Sequence, residues 1–198
     1  VPFPNITVVL GDPKLPDQVK LGGKFNAEDL DTIRRTRLAL DELAEYKFAY
    51  ADNHAAFLTQ MRSSPPEFVL NLCDEGYNND ATLELHVPAY LEMLGIPYSG
   101  SGPATLALCY NKSHVRAVAS SLDIPVPLET YCDPGDQGAT IPAVFPALLK
   151  PAWGDSSLGI TQKSVVTTAD QAIEYLAYLR DLLPGRPVLI QEFLTGSE

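Results

Sequence analysis

Short β-like runs alternate with helix-periodic stretches through the first hundred residues, and this alternation restricts the fold more than any other feature. Ile6 to Leu10 (ITVVL) reads as a buried strand and ends in the turn signal Gly11-Asp12-Pro13. From Glu28 to Leu43, Leu30, Ile33, Leu38, Leu40 and Leu43 recur at helical spacing, with Asn26 as the N-cap. Lys47 to Ala51 is a second strand, Ala55 to Met61 a short helix ended by Ser64-Pro65-Pro66, and Phe68 to Leu72 a third strand. Thr82 to Leu94 has a helical pattern containing Pro88, so the helix either kinks there or begins near the proline, and Gly95 stops it. Pro97-Tyr98-Ser99 is read as one more short strand. Strands and helices alternating at such intervals predict an α/β fold with a doubly wound parallel sheet over residues 1–103.

Residues 104–198 have a different pattern and are expected to form a small α+β subdomain. Ala104 to Leu122 is helical with an interruption at Tyr110-Asn111-Lys112, and a strand follows near Glu129 to Tyr131, then a polar segment from Asp133 to Ala139. Phe145 to Lys150 is an apolar run ending in lysine, Gly154-Asp155-Ser156-Ser157-Leu158-Gly159 is a loop of mostly small residues, and Ile160 to Val166 is a returning run. That is a β-hairpin with a cation at the mouth of its turn. Thr168 and Gln171 form a capping-box pattern for a helix from Ala169 to Leu183, and Val188 to Leu194 is the last strand.

Charge narrows the partners. The net charge of -11 argues against nucleic acid, which demands clustered Lys and Arg, but leaves room for a nucleotide held by one or two placed lysines and Mg²⁺. Apolar runs fall far short of the roughly 20 residues that span a bilayer, and no charged-then-apolar leader opens the chain. Cys73, Cys109 and Cys132 form no C-x-x-C pair and no even set, so they are expected to be reduced, buried small hydrophobes in a cytoplasmic protein.

Taken alone, Lys150 is a solvated head on a buried stem. Beside a loop of glycine and serine it becomes a candidate for holding anionic oxygens. The loop lacks the G-K-[ST] ending of a Walker P-loop and the G-x-G-x-x-G of a dinucleotide site. Gln191-Glu192-Phe193-Leu194, with Glu198 beyond, fits an ordinary edge strand as well as a purine slot, and spacing does not separate the two.

The combination is more specific than its parts. Lys112, F-P-x-L-x-K-P from Phe145, the S-S turn, a capped helix and V-L-I-x-E-F-L-x-G-x-E from Val188 resemble the ATP-grasp superfamily, and more closely the D-alanine–D-alanine ligases. Glu92 to Ser101 (EMLGIPYSGS) is similar to that family's L-G-I-P-Y-x-G-S stretch, and Ile124 to Pro127 to its G-x-P-x-P connection. The resemblance implies a pre-ATP-grasp, substrate-side domain over 1–103 and an ATP-binding subdomain over 104–198. It implies that Lys112 and Lys150 hold ATP phosphates under a loop containing Ser156 and Ser157. Gln191, Glu192 and Leu194 would line the adenine site, and Glu198 would meet the ribose. The glutamine, where many relatives have glutamate, is expected to accept from the adenine amine.

By the same resemblance the activity is an ATP-dependent carboxylate–amine ligase working through an acyl phosphate, with small carboxylate and amine substrates such as amino acids. A homodimer is common in similar proteins. Two loops depart from the family pattern: Gly11 to Gly23 contains no glutamate, and Asn71 to Asp80 replaces an H-G-x-x-G-E-D loop, keeping Glu75-Gly76 but no histidine. His86, on the nearby helix, is read as structural. Family ligands for Mg²⁺ are expected beyond residue 198, in a longer protein. The alternatives are a non-catalytic ATP-binding module and a structural α/β domain with no nucleotide.

Overall fold

β1 (Asn5–Val9) is the middle strand of a three-stranded parallel sheet, in the order β2-β1-β3, with β2 at Lys47–Ala51 and β3 at Phe68–Asn71. This computed structural model describes residues 2–17, 19–136, 144–154 and 157–196. The chain divides into two units, Val1–Ala107 and Leu108–Glu198. The fold is α/β, as the alternation of runs predicts.

In the first unit α1 (Ala27–Asp41) starts where Asn26 predicts. The Asn26 side chain accepts from the Glu28 and Asp29 amides, and Asp29 reciprocates to the Asn26 amide at 2.8 Å. α2 (His54–Ser63) and α3 (His86–Met93) supply Phe57, Met61, Val87 and Leu91 to a core with Val9, Ala51, Val69 and Ile96. Each such side chain stabilises the unit by about 1.5–3 kcal/mol. The Pro88 ambiguity resolves at the helix start: α3 begins at His86, so the proline sits in the first turn where its missing N–H costs nothing. Gly95 closes the helix in the left-handed region, at φ 66°. The expected strand Pro97 to Ser99 reduces to one parallel bridge, Val69 to Tyr98.

The second unit opens with α5 (Lys112–Ser121) after α4 (Pro103–Tyr110), broken at Asn111, whose side chain caps α5 by accepting from the Ser113 and His114 amides. An antiparallel sheet follows in the order β4-β7-β5-β6: β4 Glu129–Cys132, β5 Ala147–Pro151, β6 Val165–Val166 and β7 Val188–Glu192. α6 (Ala169–Leu182) covers one face through Ala172, Tyr175, Leu176 and Leu179 against Ala147, Leu149, Val188 and Ile190. Thr168 caps it by accepting from the Gln171 amide, while the Gln171 side chain accepts from Thr167 instead of completing the box.

The hairpin differs from expectation on its return. Only Val165–Val166 pairs with β5, because Thr161 and Ser164 form their own capping box and turn residues Gln162–Ser164 into a 3-10 helix. β7 ends at Glu192, two residues early. Cys73 and Cys132 are buried, but Cys109 is exposed, because α4 buries none of its residues.

Candidate functional site

Strand alternation sorts the second sheet into two faces. Ala147, Leu149, Val188 and Ile190 point to α6, which leaves Leu148, Lys150, Leu189, Gln191, Glu129 and Tyr131 on the opposite face. Register then brings three polar side chains into line across β5, β7 and β4. Lys150 Nζ donates to Gln191 Oε1 at 2.8 Å, and Gln191 Nε2 donates to Glu129 Oε2 at 2.9 Å. The Ser113 hydroxyl of α5 donates to the other oxygen of Glu129 at 2.5 Å. Burial lowers the pKa of the Lys150 ammonium, with the Glu129 carboxylate pulling the other way. Lys150 is thus a half-buried cation with one carboxylate nearby, a setting in which a further anion would favour its charged form.

Lys112 lies at the first position of α5. Its backbone amide donates to Ala152 at 3.0 Å and its ammonium to the Gly154 carbonyl, so the start of the helix and the hairpin turn are tied together. Between them is a pocket of about 220 Å³ lined by Lys112, Pro151, Trp153, Gly154, Ser157, Leu158 and Ile160. Gly154 has φ 102°, a conformation that needs glycine. At the far side of the turn the Tyr175 hydroxyl donates to the Gly159 carbonyl at 2.9 Å, which anchors the loop to α6.

The expected site residues are therefore distributed as follows. Lys150 and Gln191 touch, and Lys112 and Ser157 line one pocket. Gln191 Oε1, expected to face an adenine amine, accepts from Lys150. Glu192 closes the end of the β4–β7 pair, its carboxylate accepting from the Leu128 amide at 3.1 Å and its own amide donating to Leu128 at 2.8 Å. Leu194 follows the strand and is 64% exposed. Ser156 and Glu198 lie outside the described residues, as does the part of the polar segment after Asp136. Glu129 was not singled out from the sequence, and only the β4–β7 register reveals it.

Cavity size alone would point elsewhere. A groove of about 820 Å³ runs along Thr161 to Val166 and α6, but its lining has a single lysine among neutral and apolar side chains and Glu174. A third pocket, about 230 Å³, lies at the carboxyl ends of β1 and β3, where the strand order reverses, a common ligand position in such sheets. Although the first loop contains no glutamate, Glu75 reaches over Gly11, where a Cβ would stand 2.6 Å from its carboxyl carbon. Lys20 binds Glu75 at 2.9 Å and Asp29 at 3.5 Å. Burial and the neighbouring Asp74 push the Glu75 pKa up, against the pull of Lys20.

A histidine unforeseen from the sequence organises that region. His54 is 1% exposed and accepts at Nδ1 from the Asn78 amide at 2.7 Å, so Nε2 carries the proton and donates to the Leu10 carbonyl at 2.9 Å. Asp12 accepts from the His54 amide at 3.0 Å, and Asn79 exchanges two bonds with the Asp12 backbone.

No family model matches the sequence. Among curated proteins, the D-alanine–D-alanine ligase of Aquifex aeolicus is 28% identical over 183 residues, covering 91% of this chain and 60% of its own length. That of Haemophilus influenzae is 28% identical over 149 residues, covering 68% of this chain and 48% of its own. The solved D-alanine–D-alanine ligase from Bacillus anthracis complexed with ATP superposes with a TM-score of 0.70 at 18% identity, over 97% of this chain and 59% of that one. The chain is similar to D-alanine–D-alanine ligases in sequence and shares their fold. The ligase-like chain spans about half the length of the curated relatives it matches. The Mg²⁺ implied for such a protein has no donor set here: among the described residues no three His, Cys, Asp or Glu side chains converge as metal ligands.

Proposed function

We propose that the chain is the nucleotide-holding portion of an ATP-dependent carboxylate–amine ligase that joins small substrates such as amino acids, D-alanine among them. The observation that carries this reading is the half-buried line Lys150–Gln191–Glu129–Ser113, continued through the start of α5 to the pocket at Lys112 and Gly154. Two lysines on one sheet-and-helix framework suit a chain of phosphates, the role that the resemblance to ATP-grasp ligases implies for them.

In the proposed reaction a substrate carboxylate oxygen attacks the γ-phosphorus and the bond to ADP breaks, giving an acyl phosphate. The amine then attacks the acyl carbon, loses a proton, and phosphate leaves as the C–N bond forms. The part assigned to this chain is positioning and charge compensation. Lys150 and Lys112 bind phosphate oxygens, and Gln191 and Glu129 hold Lys150 in place. Gln191 to Leu194 border the adenine, and Ser156 and Ser157 shield the phosphates. Glu198 is assigned to the ribose.

A second reading, a non-catalytic ATP-binding module, draws on the departures of the Gly11 to Gly23 and Asn71 to Asp80 loops from the family pattern. Thermal unfolding with and without Mg-ATP tests what the two readings share. Ligand at a hundredfold excess over Kd stabilises by about 2.7 kcal/mol, and Lys150→Met is expected to abolish the shift while leaving the ligand-free midpoint nearly unchanged. An equal shift in both proteins would place the nucleotide elsewhere. Phosphate release by the full-length protein with a panel of D-alanine and other amino acids separates the readings: release supports the ligase, and silence despite ATP binding supports the module.

A further inference from the structure

Two donors at the Lys112 pocket have had no role assigned so far: Trp153, which lines it, and Arg186, which approaches its Gly154. Trp153 contributes a buried indole Nε1 that has no hydrogen-bond partner among the described residues. An indole N–H can only donate, so burial without an acceptor is unfavourable until one arrives. Arg186 comes from the turn between α6 and β7. Its Nη1 lies 3.2 Å from where a Cβ on Gly154 would stand. Arg186 is a half-buried residue, and its guanidinium forms no ion pair or side-chain hydrogen bond among the described residues.

Neither placement is loose. The Ala152 amide donates to the Pro187 carbonyl at 2.9 Å, which continues the β5–β7 ladder and sets Arg186 against the Trp153–Gly154 segment. The Arg186 amide donates to Leu183 at 3.2 Å, and Gly185 turns the chain at φ 80°. Asn111 and Trp153 form an antiparallel bridge that fixes the tryptophan beside the start of α5. Lys112 and Arg186 thus approach the same glycine, one at its carbonyl and one in the space its missing side chain leaves. Two cations at one residue repel each other, and an anion between them converts that repulsion into attraction.

We infer that Arg186 and Trp153 are phosphate-positioning residues: the guanidinium and the indole N–H donate to oxygens of the same phosphate group that Lys112 neutralises. A planar fork suits phosphate better than a point charge does. Pro151, Leu158 and Ile160 give the rest of the pocket an apolar lining, and less polar surroundings strengthen such bonds. This inference rests on the nucleotide reading above and adds two residues to it.

The chain contains one tryptophan, so Trp153 emission reports on this pocket directly. Mg-ATP, inorganic tripolyphosphate and adenosine are titrated by fluorescence, and affinities are measured by calorimetry. Wild type is expected to respond to Mg-ATP and tripolyphosphate but not to adenosine. Arg186→Met should weaken Mg-ATP binding by about tenfold, and Arg186→Lys should recover part of the loss. Trp153→Phe, read by calorimetry, should weaken binding by about threefold. Arg186→Gln serves where Arg186→Met lowers the ligand-free melting point.

If the Arg186 and Trp153 variants bind Mg-ATP as wild type does, this inference falls and the nucleotide reading stands. A fluorescence response to adenosine alone also overturns it. If wild type binds neither Mg-ATP nor tripolyphosphate, both fall.

Discussion

The two units each hold a pocket of similar size, about 230 Å³ in the first and about 220 Å³ in the second, yet they treat charge in opposite ways. In the first, ionic groups are bound to one another. Lys20 bridges Glu75 and Asp29, and the Asp12–His54–Asn79 network ties the loop after β1 to α2 and to the loop after β3. In the second, donors gather at one turn: Lys112 donates to the Gly154 carbonyl, the Arg186 guanidinium approaches Gly154, and the Trp153 indole N–H is buried without a partner among the described residues. A self-paired interior signals a framework. Donors gathered beside a cavity are what the inferred phosphate site requires.

The largest expected effect tests the self-paired side. His54→Ala should destabilise the protein by about 3 kcal/mol, because it empties a buried volume and strands the Leu10 carbonyl and the Asn78 amide. Urea unfolding measures this, and a loss below about 1 kcal/mol would show that the network is not what holds the loops.

An intermediate effect tests the donor-rich side. Gly154→Ala combines a left-handed backbone with a close approach to Arg186, and should cost about 1–2 kcal/mol in stability. It should also weaken Mg-ATP binding, since the guanidinium must move. Loss of stability with unchanged affinity would separate the turn from the ligand.

The smallest effect is a pH dependence in the first unit. The folded pKa of Glu75 is raised above its ordinary 4.5. The folded state therefore binds more protons than the unfolded state between 4.5 and the raised value, and the stability this contributes is lost as pH rises through that window. Glu75→Gln removes this dependence. Urea midpoints at pH 4.5 and at pH 7 should move in the variant's favour at the higher pH, and parallel behaviour would mean that Lys20 compensates the carboxylate fully.

Local chemistry was readable in the sequence wherever the partner is near in the chain. Asn26 and Thr168 cap the helices they precede, and the breaks at Pro88 and Asn111 fall where proline and asparagine place them. Lys150 announces itself as a cation closing an apolar run beside a flexible loop. The residues that complete the picture lie far away in sequence. Glu129 and Gln191 are 62 positions apart, and nothing in either segment predicts a register that joins them. Neither Trp153 nor Arg186 is marked out by its own segment, and only the approach of Arg186 to Gly154 joins the two turns. The return strand was over-extended because Ile160 and Val165–Val166 suggest β structure, whereas the Thr161–Ser164 box competes locally and wins.

Gln191 has one consequence for how this site can evolve. Its amide is bipolar, presenting oxygen to a cation and nitrogen to an anion, and neither end is interchangeable. Replacing it with glutamate would set two acids side by side across β4 and β7. Homologues with an acid at this position are thus expected to carry a neutral or donating residue where this chain has Glu129, so that the two sites drift together rather than one at a time.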